Sequence, residues 1–350
     1  MTVFNRFWTS PSINSGYCRN DNCFRVSFNR NFSRKFTVIL GFLVVLWYNQ
    51  LMAFNPNAIF ISPSSLGDFE KCPQLYYYRY VYKTSRGLKV QQINPPLALG
   101  TAVHDAIEMY LKYPPTERTK DLLDAKLDFA WSNLTGEKGG FTAPEEEEQY
   151  KQRAISMLSR FWQNKHFREA IKTEIPSFCK ADLGNDLILT GKLDWIEKEG
   201  EIYHLIDFKT GKEEREDSQQ LPIYQVLISE IFKGAPVKAS YWYLDISDDF
   251  TDYNLPDPKE TTLMLQQKGE IIKMARATNS FRCQTGLESC WACRDMKAIA
   301  EGKGKLVSMD PVGRKQEVYI LTKEGVRGEE SGHRGEKVIT EPDAQSDLPF

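Results

Sequence analysis

The sequence predicts a mixed α/β fold, in which a mixed β-sheet is flanked by helices and preceded by a helical segment. Three observations predict it. Helical apolar spacing dominates up to about residue 172, strand patterns bounded by glycines cover about 173–209, and a helix, a strand and a helix follow. A chain of 350 residues can bury a substantial core. The order of elements is typical of an α/β domain and shows no internal repeat.

The composition is that of an ordinary soluble protein, with 41% hydrophobic, 12% aromatic and 26% charged residues. The formal net charge of -2 indicates no generally basic surface, so any contact with nucleic acid would need a local patch. Seven cysteines argue against a small disulfide scaffold and favour a reducing compartment, the cytoplasm, with thiols available for metal. No G-x-x-x-x-G-K-[ST] sequence is present, which excludes a phosphate-binding loop of that type.

The chain divides into three predicted parts. Residues 1–51 carry six Lys or Arg against one acid and contain "FTVILGFLVVLWY", whose 13 residues fall short of the roughly 20 that span a bilayer. We interpret 1–51 as an upstream extension, with Met52 as the functional start; a membrane tether or targeting segment is the alternative. Residues 52–310 form the predicted domain and residues 311–350 a polar, disordered tail. No stable membrane association is expected.

Helices are predicted on both sides of the strands. Ser62 or Ser64 can cap the first, in "SPSSLGDFEKCPQLYYYRYVYK", and a second lies in "TAVHDAIEMYLKY". Residues 118–171 are charge-rich and helical around the loop "TGEKGGFTAPEEEE". Beyond the strands, helices are predicted from about residue 214 to 232 and in "TTLMLQQKGEIIKMARAT", with the strand "VKASYWYLDI" between them.

A β-hairpin is predicted in "GKLDWIEKEGEIYHLIDFKTGK", residues 191–212. If "EG" at 199–200 forms a two-residue turn, Asp194 faces Leu205 across the ladder. Asp194, Asp207 and Lys209 then emerge on the same side of the sheet. This register is conditional, because a change of one residue in the loop would alter the parity.

Two carboxylates on neighbouring strands make an oxygen-rich site that suits Mg²⁺ or Mn²⁺. A lysine two residues after the second carboxylate could orient an attacking water or offset charge on a phosphate. Asp-x-Lys alone is common, however, and a hairpin that turns its polar face to solvent is the simpler interpretation of this stretch taken alone.

Features outside the hairpin favour a site. His104 and Glu108 lie four residues apart on one helical face, where both could reach a metal. Gln220 and Tyr224 share one face of the helix after the hairpin. Each pair is weak alone, because a helical histidine is usually structural and a glutamine and a tyrosine at this spacing usually pack.

The combination resembles the PD-(D/E)XK nuclease superfamily, specifically the RecB-like branch that includes the nuclease domains of RecB and AddB and the CRISPR-associated adaptation nuclease. Four segments carry the resemblance in the family's order: "LGTAVHDAIE", "GKLDWIE", "LIDFKTG" and "QLPIY". It covers about residues 60–300 and implies a restriction-endonuclease-like core, with the family's N-terminal helix in "SPSSLGDFEKCPQLYYYRYVYK".

The resemblance also implies roles for individual residues. His104, Asp194 and Asp207 would bind the divalent metal, Mg²⁺ or Mn²⁺, and Lys209 would be the catalytic lysine. Gln220 and Tyr224 match the family's Q-x-x-x-Y motif, which is associated with DNA contact beside the active site. Glu174 occupies a place where such nucleases often carry an acid.

In some members of this branch, one upstream and three downstream cysteines hold a 4Fe-4S cluster. The candidates here are Cys72, Cys283, Cys290 and Cys293, although six and then two residues between the last three depart from the family's usual spacing. We favour 4Fe-4S, with zinc and free structural thiols as alternatives, because four thiolates suit either metal centre. Such a centre would clamp the two ends of the domain together.

The function that the resemblance implies is a metal-dependent deoxyribonuclease, an exonuclease acting on single-stranded or end-frayed DNA in repair or recombination. The aromatic and basic residues of "YYYRYVYK" could stack on bases, or simply pack in the core. A separate helicase or CRISPR integrase subunit is an expected partner. The alternatives are a catalytically silent DNA-binding or scaffolding module with the nuclease fold, and a zinc-stabilised interaction protein. Retention of both aspartates and Lys209 argues against a silent module.

Overall fold

The structure, a computed structural model, describes residues 58–176, 178–214, 219–283, 285 and 290–321. The predicted leader, residues 1–51, lies outside the described residues, as does the predicted tail beyond residue 321. Both therefore stay predictions. In the described part of the chain, no helix combines the length and apolarity needed to cross a bilayer.

Four of the described helices begin after a residue whose side chain accepts a hydrogen bond from an early backbone amide of the helix. Ser62, one of the two predicted caps, caps α1, and its side chain accepts a hydrogen bond from Ser65 N. Asn94 caps α3 in the same way, so this helix begins at Pro95, earlier than predicted. The helices are α1 (Pro63–Lys71), α2 (Pro73–Tyr76), α3 (Pro95–Leu111), α4 (Lys120–Ser132), α5 (Pro144–Gln163), α6 (His166–Glu169), α7 (Gln220–Ile231), α8 (Pro258–Ala277) and α9 (Arg294–Ala298).

The strands form three sheets and confirm the predicted mixed α/β class. They are β1 (Ile59–Ile61), β2 (Lys89–Gln92), β3 (Cys179–Asp182), β4 (Leu187–Gly191), β5 (Trp195–Glu199), β6 (Ile202–Lys209), β7 (Val237–Tyr243), β8 (Thr251–Tyr253), β9 (Gly304–Asp310) and β10 (Gln316–Leu321). The central sheet has the order β5-β6-β7-β8, and smaller sheets have the orders β1-β4-β3 and β2-β10-β9. Strands β6 and β7 are parallel and joined through α7, so they form a β-α-β unit.

The hairpin forms, but with a different turn from the one predicted. Glu199 pairs with Ile202, so the two turn residues are Gly200 and Glu201, not Glu199 and Gly200. Gly200 has a φ of 62°, a left-handed conformation that glycine adopts without strain. The register therefore shifts by two residues, and Leu205 pairs with Ile196 instead of Asp194. Because a shift of two preserves the parity, the predicted common face of the carboxylates is unchanged.

Two apolar clusters cover the opposite faces of the central sheet. Ile206 and Phe208 of β6 pack in a cluster with buried residues of α3, α4 and α5. Leu205, on the other face of β6, packs in a cluster with buried residues of α7 and α8. Every residue from Leu221 to Ile228 is buried in α7. This helix is therefore held on all sides, which fixes its N-terminal residue Gln220 beside the end of β6.

The predicted tail begins too early in the chain. Residues 316–321 form β10, which pairs with β2 in parallel and with β9 in antiparallel orientation. Glu317 of β10 is fully buried and accepts hydrogen bonds from Thr84 Oγ1 (3.0 Å) and Arg86 Nε (2.6 Å). The folded region therefore extends past the predicted boundary at residue 310, because β10 finds its partner strand near the start of the domain.

Candidate active site and cysteine cluster

Five of the predicted site residues line one cavity of about 430 Å³: His104, Asp194, Asp207, Lys209 and Gln220. They come from distant parts of the sequence, on α3, just before β5, on β6 and at the start of α7. Asp194 directly precedes Trp195, which pairs with Ile206, and Asp207 directly follows Ile206. Asp194 and Asp207 therefore lie side by side at the end of the hairpin ladder. The carboxyl end of β6 and the N-terminus of α7 meet at this point, so the fold itself brings the four elements together.

Asp194 is held between a histidine and a backbone amide. Its Oδ1 lies 3.3 Å from His104 Nδ1, and its Oδ2 accepts a hydrogen bond of 3.0 Å from Phe208 N. Burial acts to raise the pKa of Asp194, but the charge of His104 and these hydrogen bonds hold that pKa below its ordinary value. Burial likewise opposes the charging of His104, and Asp194 overcomes it and raises the pKa of the imidazole.

Asp207 is the most deeply buried acid of the cavity, with 2% of its surface exposed. Burial raises its pKa to about 6, and the neighbouring Asp194 adds to that effect while Lys209 opposes it. The Lys209 Nζ atom lies 2.6 Å from Asp207 Oδ2. Ionisation of Asp207 therefore depends on nearby positive charge, and the site favours a cation.

Gln220 joins the acid and the lysine. Its Nε2 donates hydrogen bonds to Asp207 Oδ1 (2.8 Å) and to the Tyr224 hydroxyl (3.0 Å), and its Oε1 accepts one from Lys209 Nζ. The Tyr224 hydroxyl donates to the backbone oxygen of Lys192, at 2.9 Å. Tyr224 is only 6% exposed, and its hydroxyl accepts the hydrogen bond that fixes the Gln220 side chain. The two residues of the Q-x-x-x-Y motif thus act as one hydrogen-bonded unit.

The residues fit a divalent metal by the chemistry of their donors. Carboxylate oxygens and an imidazole nitrogen are ligands of Mg²⁺, Mn²⁺ and related ions. Asp207 Oδ2 is buried, and the positive charge that faces it is the Lys209 ammonium, 2.6 Å away. A divalent cation at the cavity would add to this compensation of the buried carboxylates. The candidate ligands are therefore His104, Asp194 and Asp207.

Two acids considered in the sequence do not reach this cavity. Glu108 and Glu174 line a neighbouring cavity of about 360 Å³. Glu108 is drawn away by Lys112 Nζ, which lies 3.0 Å from Glu108 Oε1, and by a close ion pair with Lys192. The predicted shared metal contact of His104 and Glu108 is therefore wrong in this arrangement, because two lysines neutralise Glu108.

Sequence reasoning missed three residues beside the site. Lys172 Nζ donates a hydrogen bond of 2.5 Å to the backbone oxygen of Asp194. Glu213 and Tyr243 line the main cavity. Tyr243 is the residue opposite Lys209 in the parallel pairing of β6 and β7, a register that only the structure shows. Lys172 carried no signal in the sequence, since it precedes β3 in an irregular segment.

Comparison with known proteins places this arrangement in a family. The model of the PD-(D/E)XK nuclease superfamily matches residues 61–298. The chain belongs to the PD-(D/E)XK nuclease superfamily. No curated protein matches the chain.

Two solved structures are similar to this superfamily member at low identity. One is a protein from Eubacterium rectale described as a candidate exonuclease: 11% of residues are identical, 73% of this chain and 91% of the other are covered, and the TM-score is 0.41. The other is SSO0001, with 15% identity, coverage of 60% of this chain and 82% of the other, and a TM-score of 0.24.

The four candidate cluster cysteines of this nuclease-family chain lie together. The sulfur atoms of Cys72, Cys283, Cys290 and Cys293 all fall within 4.8 Å of one another. Bonds of about 2.3 Å to a tetrahedral zinc place sulfurs about 3.8 Å apart, and Cys283 and Cys293 are separated by 3.9 Å. The unusual spacing of the downstream cysteines therefore does not prevent them from forming a four-thiolate site.

The protein environment acts differently on these thiols. Burial raises the pKa of Cys72 and of Cys293. Burial has the same effect on Cys290, but hydrogen bonds from Thr285 and Cys293 outweigh it and lower the Cys290 pKa to about 6. A metal bound by thiolates would offset the cost that burial imposes on the first two.

The tyrosines of "YYYRYVYK" pack mainly against one another and their neighbours. Tyr76 is 1% exposed, and its ring lies 4.9 Å from that of Tyr80 and 6.0 Å from that of Phe281. Asp68 accepts hydrogen bonds from Arg79 Nη1 (2.8 Å) and from the Tyr80 hydroxyl (3.0 Å). These contacts support the packing interpretation of this segment over base stacking.

Proposed function

We propose that this chain is a metal-dependent deoxyribonuclease that removes nucleotides from the ends of single-stranded or frayed DNA, in repair or recombination. Its membership of the nuclease superfamily supports hydrolysis of a nucleic acid. The observation that carries the metal-dependent chemistry is the convergence of His104, Asp194, Asp207, Lys209 and Gln220 on one cavity. The action on DNA ends and the role in repair follow from the resemblance to the RecB-like branch.

In this proposal, His104, Asp194 and Asp207 hold Mg²⁺ or Mn²⁺. The bound metal would supply Lewis-acid stabilisation of the charge on the scissile phosphate. The Lys209 ammonium is 25% exposed at the cavity, so it can approach a phosphate oxygen or the attacking water. Gln220 forms hydrogen bonds with both Lys209 and Asp207. It would keep the ammonium and the carboxylate in fixed relative positions while the substrate binds.

Lys209 has the central role in the chemistry that we propose. It lies on the last position of β6, where the backbone is fixed by pairing with β7. Its ammonium is shared by Asp207 Oδ2 and Gln220 Oε1, so its side chain is aimed before substrate arrives. Preorganised charge of this kind is worth more than charge that must reorganise during reaction.

A digestion assay under single-turnover conditions tests the proposal. The substrates are end-labelled linear single strands, linear duplexes and circular single strands, each with Mn²⁺, Mg²⁺ or EDTA. We expect the linear strands to be shortened only with metal and the circles to be spared. Cleavage of circles at the same rate would contradict exonuclease action, and no cleavage of any substrate would favour the silent DNA-binding module.

A matched pair of lysine variants assigns the chemistry. Lys209→Met should lower the single-turnover rate by about 10²-fold or more, in line with the loss of one stabilising charge or proton-transfer group. Lys212→Met removes an exposed lysine three residues further along and should leave the rate unchanged. Equal rates for both variants and the unaltered protein would contradict the role of Lys209.

We propose that the cysteine site holds a 4Fe-4S cluster, and zinc is the alternative. Four buried or half-buried sulfurs within 4.8 Å of one another supply the thiolates that either centre needs. A cubane cluster would require the sulfurs to lie further apart than a single zinc ion does, because each thiolate then binds a different iron. Anaerobic purification followed by iron, sulfide and zinc analysis distinguishes them. A brown preparation with about four irons per chain supports the cluster, and a colourless preparation with zinc and no sulfide would overturn it.

The proposed pathway requires a partner. The chain has no phosphate-binding loop of the G-x-x-x-x-G-K-[ST] type, so unwinding of duplex DNA would need a separate helicase subunit. A CRISPR integrase subunit is the alternative partner. Co-purification of the tagged chain with a motor protein, and faster digestion of duplex ends in its presence, would support the first arrangement.

A further inference from the structure

A second group of potential metal ligands lies on the other face of the central sheet. Glu197 and His204 are paired residues of β5 and β6, and Glu199 follows Glu197 on the same face. His204 and Asp207 are three residues apart on β6, so their side chains point to opposite faces and are about 10 Å apart along the strand. The group is therefore separate from the nuclease cavity.

Three ligand atoms of this group are close together. His204 Nδ1 lies 3.1 Å from Glu199 Oε1 and 3.5 Å from Glu197 Oε1. The three atoms fall within 4.8 Å of one another. His166, at the start of α6, approaches from the side, with its Nε2 2.8 Å and 2.9 Å from the two oxygens of Glu197.

The hydrogen bonds behind His204 determine which of its nitrogens carries a proton. Ser240 Oγ donates its single hydrogen to Asp252 Oδ1 at 2.8 Å, since an ionised carboxylate can only accept. The same Ser240 Oγ lies 2.8 Å from His204 Nε2 and must therefore accept a hydrogen bond from it. A neutral His204 then has its proton on Nε2 and its lone pair on Nδ1.

That lone pair points at two carboxylate oxygens. In a neutral imidazole, Nδ1 would repel Glu197 Oε1 and Glu199 Oε1, because all three atoms are then acceptors. A cation between the three atoms would remove this repulsion, because each atom would then donate a lone pair to it. His204 has no exposed surface, so the compensating charge must be at the site itself.

The distances suit a cation. Ligand bonds of 2.0–2.2 Å to a tetrahedral zinc place neighbouring ligand atoms about 3.3–3.6 Å apart, close to the 3.1 Å and 3.5 Å separations at His204. Metal-bound histidines usually donate their other N–H to an acceptor that fixes the ring. Ser240 and Asp252 provide such a chain for His204, and Trp195 Nε1 and His166 hold Glu197.

We propose that Glu197, Glu199 and His204 form a second divalent metal site, specific for zinc or a similar transition metal, with His166 as the positioning residue for Glu197. Glu199 is 50% exposed, which gives the ion a route from solvent and leaves a fourth position open. Phe250 packs against the rings of both histidines and covers the inner side. The site would fasten α6 to the outer end of the hairpin whose other end carries Asp194.

Zinc binding to the full chain at pH 8, where protons compete little with a metal for histidine and carboxylate ligands, tests this proposal. Bound zinc is counted by mass spectrometry after equilibration with Zn²⁺, and thermal unfolding is followed with and without it. Glu199→Gln should bind one zinc fewer than the unaltered chain, or bind it at least about tenfold more weakly. Glu201→Gln, at an exposed position of the same turn, should behave as the unaltered chain.

Zinc could also bind at the four cysteines, so the test compares the zinc content of the variants with that of the unaltered chain. The cysteines are unaltered in Glu199→Gln, so zinc bound there is common to all three proteins. The proposal is overturned if Glu199→Gln and the unaltered chain bind equal amounts of zinc with equal affinity. Half of the Glu199 side chain is exposed, so the variant is expected to fold, and a retained unfolding transition confirms that it does.

Discussion

At the scale of single residues, the proposed nuclease site depends on one buried carboxylate and the groups that hold it. Asp207 is held by Gln220 on one oxygen and faced by Lys209 on the other. The cost of burying its charge raises its pKa to about 6. The residue that contacts both partners, Gln220, therefore controls the alignment of the acid and the lysine.

Loss of the Gln220 side chain should lower the rate of DNA cleavage. Gln220→Ala frees Lys209 and Asp207 from their common partner, and a displacement of about 1 Å in such groups can cost about 10²-fold in rate. We expect a loss of about that size in the single-turnover rate on linear single strands. Gln219→Ala changes the neighbouring exposed glutamine, which contacts Lys268, and should retain the full rate. A similar loss in both variants would show that the helix end, not Gln220, is responsible.

The sequence predicted the residues of this site better than it predicted their neighbours. Asp194, Asp207 and Lys209 break the apolar pattern of a hairpin, which makes them visible. Glu108 shares a helical face with His104, yet Lys112, one turn further along, and Lys192, after β4, neutralise it. His166 lies 31 residues before its partner Glu197, so nothing local in the sequence indicated that pair.

At the scale of elements, the approach of α7 to β4 sets the position of the Q-x-x-x-Y motif. A Cβ at Gly191 would lie 2.7 Å from Leu227 Cδ1 and 2.8 Å from Tyr224 Cε1. Both contacts are shorter than packed atoms allow. Glycine at position 191 therefore permits α7 to pack closely against β4, which keeps the Tyr224 hydroxyl within hydrogen-bond distance of Gln220.

Gly191→Ala should therefore affect both stability and rate. The added methyl group should destabilise the fold by about 1–3 kcal/mol through overpacking and displace Tyr224, measured by denaturant unfolding and single-turnover digestion. Gly67→Ala is the matched control, since its Cβ would meet nothing within 4 Å and it lies inside α1. We expect the control to be neutral or slightly stabilising. Unchanged stability in Gly191→Ala would contradict the packing account.

The sheet β2-β10-β9 illustrates what the sequence did not predict. The strand β10 is short and precedes a polar stretch, and its parallel partner β2 lies more than two hundred residues earlier. Pairing across such a distance leaves no periodic pattern that is stronger than the polar composition around it. The partners of Glu317 became visible only in the fold, where its side chain is buried and accepts hydrogen bonds from Thr84 and Arg86.

Glu317 also predicts a pH dependence of stability. Hydrogen bonds from Arg86 and from the Tyr319 and Thr84 hydroxyls lower its pKa from 4.5 to about 2, against the effect of burial. Because the folded pKa lies below the unfolded value, this contribution is complete above about pH 4.5 and is lost as the pH falls towards 2. Unfolding of Glu317→Gln should depend less on pH between these values than unfolding of the unaltered chain or of Glu201→Gln. An identical acid dependence in all three would contradict this assignment.

At the scale of the whole molecule, the cysteine site joins distant parts of the domain. Cys72 lies between α1 and α2, and the other three cysteines follow α8. A metal that binds only the folded state adds its binding free energy to the stability of the domain. The site therefore links the helical segment at the start of the domain to the sheet at its end.

Loss of one sulfur should weaken that link. Cys72→Ala should lose the metal and lower the midpoint of thermal unfolding, measured with metal analysis on the same sample. Cys179→Ala removes another buried cysteine, in β3 and outside the cluster, and should keep its metal. Equal metal content in the two variants would contradict the proposed ligand set.

The central claim is that the cavity around Asp207 cleaves DNA with the help of a divalent metal. The most direct measurement is the single-turnover rate of the unaltered chain and of Asp207→Asn on a linear single strand at saturating Mn²⁺. This variant keeps the size of the side chain, removes its charge and replaces one carboxylate oxygen with an NH₂ group. We predict cleavage by the unaltered chain and a rate at least about 10²-fold lower in the variant. Equal rates in the two proteins, with both folded, would contradict the claim.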